Sequence, residues 1–373
     1  MDAAEVFAPG DFLREEIEAR GWSQVELAEI LGRPAKVVSE IISGKKAITP
    51  ETAIQLGEAL GTGPELWMNL ESQFQLSKVS VVSVIPRRAA LYSRFPVREM
   101  LKRGWIGAAD NIQVLEQQFL RFFNIATLDQ KPFFAHAAKK SRVNVEIALS
   151  QLAWLIKARS IAAVTIVKKY EPKEFEEAIK LLWDLRTAPE EIRHVPRILE
   201  SCGIRLVYVE ALAGSHIDGA CFWLDGGQPV VAMSLRLDRI DNYWFVLRHE
   251  LEHVRLGHGK NNGFILDVDI DSPATIEVAE EEKLANDAAA EFCCSQTQLD
   301  DFISRVAPYF SEEKILYFSK RLGIHPGLVA GQLRRKLSRY DRWSNHLAKV
   351  RHIAIKSAPI DGWGMVETFR SEA

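Results

Sequence analysis

His249-Glu250-Leu251-Glu252-His253 sets two imidazoles four residues apart, with a carboxylate directly after the first. On a helix, four residues turn about 400°, so His249 and His253 project from one face, about 40° apart, and can present two nitrogens to one Zn²⁺. Glu250 falls beside them without being forced into the coordination sphere. From there it could take a proton from an attacking water and deliver it to a leaving amine while the metal polarises the scissile carbonyl. The pattern H-E-x-x-H arises by chance roughly 2 times in 100 at this composition, before a helix is demanded of it. The bland alternative is a surface helix that carries two histidines.

A catalytic zinc needs a third protein ligand. His258 lies five residues after His253, one short of the longer H-E-x-x-H-x-x-G-x-x-H spacing. At helical pitch it would point about 180° away from His249, so it is not expected to be a ligand. The better candidate is Glu282 in Glu280-Glu281-Glu282-Lys283-Leu284-Ala285-Asn286, a segment of high helix propensity in which Asn286, one turn on, could orient a ligand. Glu281 is one residue out of phase. Three consecutive acids leave the register open, and an exposed acidic first turn favoured by the helix dipole is the alternative.

These residues need elements to hold them. Asp241-Asn242 can cap a helix from Tyr243 to about Leu256 that carries the histidines. Before it, strands are expected at 204–209, 219–224 and 229–235, with a turn at Asp225-Gly226-Gly227. Between 97 and 184 helical patterns dominate, at 111–123, 137–163 and 173–186, with an apolar stripe of Val114, Phe119, Leu120 and Phe123. Residues 79–95 read as a connector or short strand. His136, His194, Tyr309, Tyr317 and His325 are expected to be structural or on the surface, His325 because His-Pro makes a good helix start.

The first 78 residues read as five short helices punctuated by Gly21, Gly32, Gly44 and Gly61, with Ser23 and Thr49 as caps and Pro50 at a first helical position. Leu27, Ala28, Ile30 and Leu31 face Val37, Val38, Ile41 and Ile42, which is helix-turn-helix packing. The run from Ser23 to Gly32, continued through Ser43-Gly44-Lys45-Lys46-Ala47-Ile48-Thr49-Pro50, resembles the XRE repressor-like domain, and in particular the HigA-type antitoxin. The resemblance implies that the helix from Pro34 to Ile42 enters the major groove. Lys36, Ser39 and Glu40 would then lie near bases, with Gln24, Lys45 and Lys46 on phosphate. This segment carries 7 basic against 13 acidic residues, so its electrostatic attraction to DNA should be small per subunit. Reuse of the fold for docking is the alternative.

His249-Glu250-Leu251-Glu252-His253, the downstream Glu282-x-x-Ala285-Asn286 and the segment from Leu322 to Leu333 together resemble the ImmA/IrrE family of metallopeptidases. The likeness spans about 190–340. It implies a gluzincin-like site with His249, His253 and Glu282 as Zn²⁺ ligands and Glu250 as catalytic base, acting on repressor proteins. The sequence departs from the family at Ala288-Ala289-Ala290 and Cys293-Cys294, which concerns packing more than ligands.

The chain has 373 residues, 47% of them hydrophobic and 26% charged, which suits two or three globular units and excludes disordered or collagen-like classes. With 47 basic and 50 acidic residues, the net charge of -3 argues against holding nucleic acid by bulk charge. Residues 79–200 are locally basic, 20 against 13, but the basic and acidic residues interleave as solvated helix faces do. Cys202, Cys221, Cys293 and Cys294 form no C-x-x-C pair and fit a reduced cytoplasm. The opening residues lack signal-peptide character and no apolar run reaches a membrane span, so a cytoplasmic location without membrane contact is expected.

The expected architecture is multidomain. An all-α helix-turn-helix domain (1–78) is followed by a connector and helical middle segment (79–189), an α+β gluzincin-like metallopeptidase domain (190–340) and a tail (341–373). The expected partners are operator DNA bound as a homodimer, a repressor-type protein substrate or the chain's own connector between about Ser77 and Arg94, and a toxin. In the alternative, the chain is a non-catalytic antitoxin or transcription factor with a structural or sensory metal site.

Overall fold

The computed structural model describes residues 7–78, 84–130, 132, 139–140, 147–260, 264–269 and 280–363. The chain divides into two compact units, Met1–Val84 and Ile85–Ala373.

The first unit holds α1 (Pro9–Ala19), α2 (Gln24–Leu31), α3 (Ala35–Ile42), α4 (Pro50–Leu60) and α5 (Pro64–Lys78). Ser23 and Glu26 form a reciprocal cap on α2: Ser23 Oγ accepts from the Glu26 amide at 3.2 Å, and the Glu26 carboxylate accepts from the Ser23 amide at 2.6 Å. Gly32 ends the helix in the left-handed region at φ 62°, which a Cβ would oppose. Leu13, Ile17, Leu27, Val38, Ile41, Leu56 and Trp67 are buried together. Ile30, expected on the buried face of α2, is 50% exposed. The buried arc centres on Leu27, Ala28 and Leu31, and Ile30 lies about 100° from its middle.

The second unit is built on six strands: β1 (Lys139–Lys140), β2 (Arg205–Val209), β3 (Ile217–Leu224), β4 (Gln228–Met233), β5 (Phe264–Val268) and β6 (Ile360–Asp361). Their order is β1-β5-β3-β4-β2-β6. Strand β3 runs antiparallel to both β4 and β5, while the β1–β5, β2–β4 and β2–β6 pairs are parallel.

Both faces of the sheet are covered. On one side α6 (Ile85–Arg94), α7 (Val97–Lys102), α8 (Ile112–Phe123) and α9 (Leu149–Val164) pack over Val207, Val209, Ala220, Phe222, Phe264 and Leu266. On the other side lie α10 (Pro172–Asp184), α11 (Val195–Ser201), α12 (Ile240–Arg255), α13 (Glu280–Cys293), α14 (Gln296–Val306), α15 (Glu312–Leu322), α16 (Pro326–Lys336) and α17 (Arg351–Ala354). They cover the alternate residues Leu206, Tyr208, Cys221, Val231 and Ile265. This period-two split explains why β3 is buried along nearly its whole length.

The expected boundaries change accordingly. The segment 79–189 is not a separate helical piece, because α8 and α9 form the second face of the sheet's core. Trp154 Nε1 donates to the Val209 carbonyl at 2.8 Å and Gln151 Nε2 to that of Ser215 at 2.8 Å. The stretch 341–363 is no loose tail either: β6 extends the sheet, and Asp361 accepts from Trp105 Nε1 at 3.0 Å and pairs with Lys157 at 2.9 Å.

Several local expectations are corrected as well. Ile85–Arg94 is helical rather than an extended connector, with Leu91 buried and Arg87 paired to Glu116 at 3.1 Å, so it does not offer the unpacked strand that self-cleavage would need. Residues 79–83 lie outside the described set. The helix expected from 137 begins at Leu149, and Lys139–Lys140 form a strand beside Ile265 and Leu266; His136 lies outside the described residues. Val114 is 50% exposed, and α8 buries Leu115, Phe119 and Phe123 instead. Arg239 is the N-cap of α12, while Asp241, in its first turn, takes a two-point bond from Arg239 at 3.0 and 2.8 Å. His325 does cap α16, its Nδ1 accepting from the Gly327 amide at 3.0 Å. Among the described residues no helix is long and apolar enough to cross a membrane.

Candidate metal centre and nucleic-acid interface

Helix α12 packs on β3 and β4 from below and against α13 and α16 at its sides. Tyr208 and Tyr243 share a 2.7 Å hydroxyl contact that ties it to β2. Its inward face carries His249, Glu250 and His253, all fully buried. Its flank is fastened by Glu252, which lies between Arg248 at 2.7 Å and Arg255 at 3.0 Å.

Four side chains from three elements meet there: His249 and His253 from α12, Asp267 from β5 and Glu282 from α13, with one ligand atom of each within 4.8 Å of the others. The two Nε2 atoms lie 3.1 Å apart. His249 Nε2 stands 3.2 Å from Asp267 Oδ2 and 3.4 Å from Glu282 Oε2. His253 Nε2 stands 4.0 Å from Asp267 Oδ2 and 3.6 Å from Glu282 Oε1. Ligands about 2.0–2.2 Å from a tetrahedral Zn²⁺ are separated from one another by about 3.3–3.6 Å. The five separations, 3.1–4.0 Å, bracket that range, and imidazole nitrogens with carboxylate oxygens are donors that such an ion takes.

Glu250 lies against β3 at Gly219, where an added Cβ would come 2.2 Å from Glu250 Oε1. Both its carboxylate oxygens are buried with no hydrogen-bond partner among the described residues. Burial, then the charges of Asp267, Glu282 and Asp218, push its pKa well above the usual carboxylate range. Burial raises Glu282 too, to about 7, with Asp267 adding to it. At His249 burial opposes the proton but the Asp267 and Glu282 carboxylates win, raising it to about 9; His253 is driven down to about 3, chiefly by burial. Asp267, although buried, is held below the ordinary carboxylate range by His249. A divalent cation among these groups would invert this field.

Glu282 is the buried acid of its run, as the phase of α13 requires, whereas Glu281 is only half-buried. Asn286 is half-buried, and no hydrogen bond joins it to Glu282 among the described residues. His258 is outside the four-donor cluster, but it does not point away. Helix α12 stops at Arg255, Gly257 turns the chain back at φ 69°, and His258 Nδ1 lies 2.9 Å from His253 Nδ1. Neither Asp267 nor Gly219 lies in a motif that marks it as part of the site. Tyr309 and Tyr317 are 79% and 73% exposed, and His194 is exposed beside Glu191.

In the first unit α3 buries Val38, Ile41 and Ile42 and turns Lys36 and Ser39 outward. Gln24, Lys45 and Lys46 are exposed too. Glu40 is half-buried with Lys36 Nζ 3.8 Å away, which offsets the acid at this surface. Its carbonyl accepts from the amides of Lys45 and Lys46 at 2.8 and 3.1 Å, fixing the turn that presents both lysines.

Residues 13–67 match the family described as Helix-turn-helix, HTH_3. The N-terminal unit is a helix-turn-helix domain. The chain is 29% identical over 86 residues to the uncharacterized HTH-type transcriptional regulator YddM of Escherichia coli K12, a match covering 23% of this chain and 92% of that protein. It is 37% identical over 68 residues to antitoxin HigA-1 of Vibrio cholerae, covering 18% of this chain and 64% of the relative. A solved structure of Pseudomonas aeruginosa antitoxin HigA with the higBA promoter aligns at 32% identity and a TM-score of 0.20, over 20% of this chain and 82% of the other. The helix-turn-helix domain accounts for the first expected unit.

Proposed function

We propose that this chain is a cytoplasmic, DNA-binding transcriptional regulator whose larger unit is a zinc-dependent endopeptidase, hydrolysing a peptide bond in a repressor-type regulatory protein. The observation that carries the peptidase reading is the convergence of the His249, His253 and Glu282 donors, 3.1–3.6 Å apart, with Glu250 buried alongside. His249, His253 and Glu282 would hold Zn²⁺, which supplies Lewis acidity toward a scissile carbonyl and an attacking water. Glu250 would accept the water's proton and pass it to the leaving amine. Neither of its carboxylate oxygens has a hydrogen-bond partner among the described residues, which leaves both open to a water. In the first unit, Lys36, Ser39 and Glu40 would face bases while Gln24, Lys45 and Lys46 meet phosphates, in a dimer on operator DNA.

A second reading has its own support. Asp267 supplies a fourth protein donor, as structural zinc sites do, and the HigA relatives are named antitoxins. On that reading the chain is a non-catalytic regulator with a sensory metal and a toxin partner. Incubating wild type and Glu250→Gln with Zn²⁺ and candidate repressors, followed by intact-mass spectrometry, separates the two. Cleavage by wild type alone supports the peptidase. Identical fragments from both proteins, or regulation in cells unaffected by the substitution, would favour the second reading.

A further inference from the structure

We propose that Asp267 is a fourth protein ligand that closes the metal centre in the resting protein, so that an incoming water or carbonyl reaches the metal only when the Asp267 carboxylate withdraws. The inference rests on the metal reading given above and deepens it. A carboxylate near a ligating histidine has two possible roles. An outer partner accepts from the imidazole nitrogen remote from the metal. Asp267 instead approaches His249 at Nε2, 3.2 Å away, the nitrogen that also faces His253 and Glu282. His249 Nδ1, where an outer partner would sit, has none among the described residues. Asp267 therefore occupies a ligand's position.

Its placement is fixed by the sheet. Asp267 stands opposite Gly219 in the β3–β5 pair, at the point where the register shifts between Ile217 and Gly219 and leaves Asp218 as the extra residue. Such a bulge re-aims neighbouring side chains. Asp218 is itself anchored by two bonds from Arg236, each 3.1 Å, which holds the bulge in place. Asp267 is 1% exposed, so solvent does not compete for it. Charge points the same way. Two neutral imidazoles and two carboxylates exactly balance a divalent cation, whereas the set without Asp267 leaves one positive charge to attract a water or a carbonyl oxygen.

The test uses the full chain loaded with Co²⁺, whose visible absorption reports coordination, and acetohydroxamate as a probe for an open position. Wild type should take up about one Co²⁺ and keep its spectrum when acetohydroxamate is added. Asp267→Ala should bind Co²⁺ at least about tenfold more weakly, since loss of even an outer partner has effects of that size, and its spectrum should shift with the probe. Asp267→Asn, closer in volume, serves if the alanine variant does not fold, and the wild-type probe titration stands without either. If wild type shifts with acetohydroxamate as the variants do, at equal Co²⁺ affinity, Asp267 is not a ligand and the three-ligand centre survives. If wild type takes up no Co²⁺, or Glu282→Ala binds it as well as wild type, the metal reading fails and this inference with it.

Discussion

Gly219→Ala tests whether the space beside Glu250 is shaped for that carboxylate. A Cβ built on Gly219 comes 2.2, 2.9 and 3.0 Å from Oε1, Cδ and Cγ of Glu250, its three nearest neighbours. Gly219 is not among the glycines with positive φ, so alanine meets no backbone strain. The substitution should therefore gain about 0.4–1 kcal/mol by restricting the unfolded chain and lose about 1–3 kcal/mol to overpacking in a buried site. The net loss is about 0–2.6 kcal/mol, which lowers the melting temperature by roughly 2–4 °C per kcal/mol in a domain of a couple of hundred residues. In a Glu250→Ala background the obstructing atoms are gone, and the same change should become neutral or stabilising by up to about 1 kcal/mol. A double-mutant cycle by denaturant unfolding, with metal content measured on each protein, reads the coupling. The ligands are not displaced, so Gly219→Ala should keep its metal while losing cleavage. Equal losses in the two backgrounds would refute the packing argument.

Glu282→Ala should sharply weaken Zn²⁺ retention and Glu281→Ala should not, measured by metal analysis after dialysis; the reverse pattern would place the ligand one residue earlier. Lys36→Ala and Ser39→Ala should each cost about 1–3 kcal/mol of operator affinity per lost base contact, and Lys45→Ala or Lys46→Ala should lower the salt dependence by about one unit of slope. Fluorescence anisotropy with the gene's own promoter region reads both, and unchanged binding would remove those residues from the interface. A fragment of 190–340 should be insoluble or molten while 85–373 folds, because the shorter piece lacks α8, α9 and β6 and uncovers Val207, Val209, Phe222 and Phe264. Circular dichroism and solubility decide, and a well-folded short fragment would contradict the two-faced core.

How much of this is legible in the sequence depends on how local each feature is. His249, Glu250 and His253 share one helix turn, so periodicity alone brings them together. The caps at Ser23 and Thr49 are equally local. Glu282 is legible because burial singles out one phase of a strongly helical run. Asp267 is not, for its approach to His249 depends on the pairing of β5 with β3 and on a bulge at Asp218, neither of which leaves a periodic trace in a five-residue strand. The helices of the middle segment are readable as helices, but the surface they cover is a property of the strands. The unbroken burial of Ile217–Trp223 indicates a sheet covered on both faces, a signal present in Ile217-Asp218-Gly219-Ala220-Cys221-Phe222-Trp223 and obscured by its central Asp-Gly. His258 is the converse case: α12 ends at Arg255, so helical pitch does not describe the direction of His258.

The strongest reason to read the centre as built for a cation is its contrast with the buried charges around it. Asp218 is matched by Arg236, Asp241 by Arg239, and Glu252 by Arg248 and Arg255. The group formed by His249, Glu250, His253, Asp267 and Glu282 holds three carboxyls and two imidazoles, and among the described residues no lysine or arginine pairs with its carboxyls. All five are at most 5% exposed. Leaving an ionised carboxylate unpaired in such surroundings costs several kcal/mol, and the upward push on Glu250 and Glu282 is that cost expressed as proton affinity. A fold that satisfies the neighbouring buried acids Asp218, Asp241 and Glu252 with arginines, yet gathers these around two facing imidazoles, carries a local conflict at one place. Such conflicts mark sites where a ligand supplies what the chain omits. On the proposed reading a divalent cation would supply it, neutralising two carboxylates while accepting both Nε2 lone pairs.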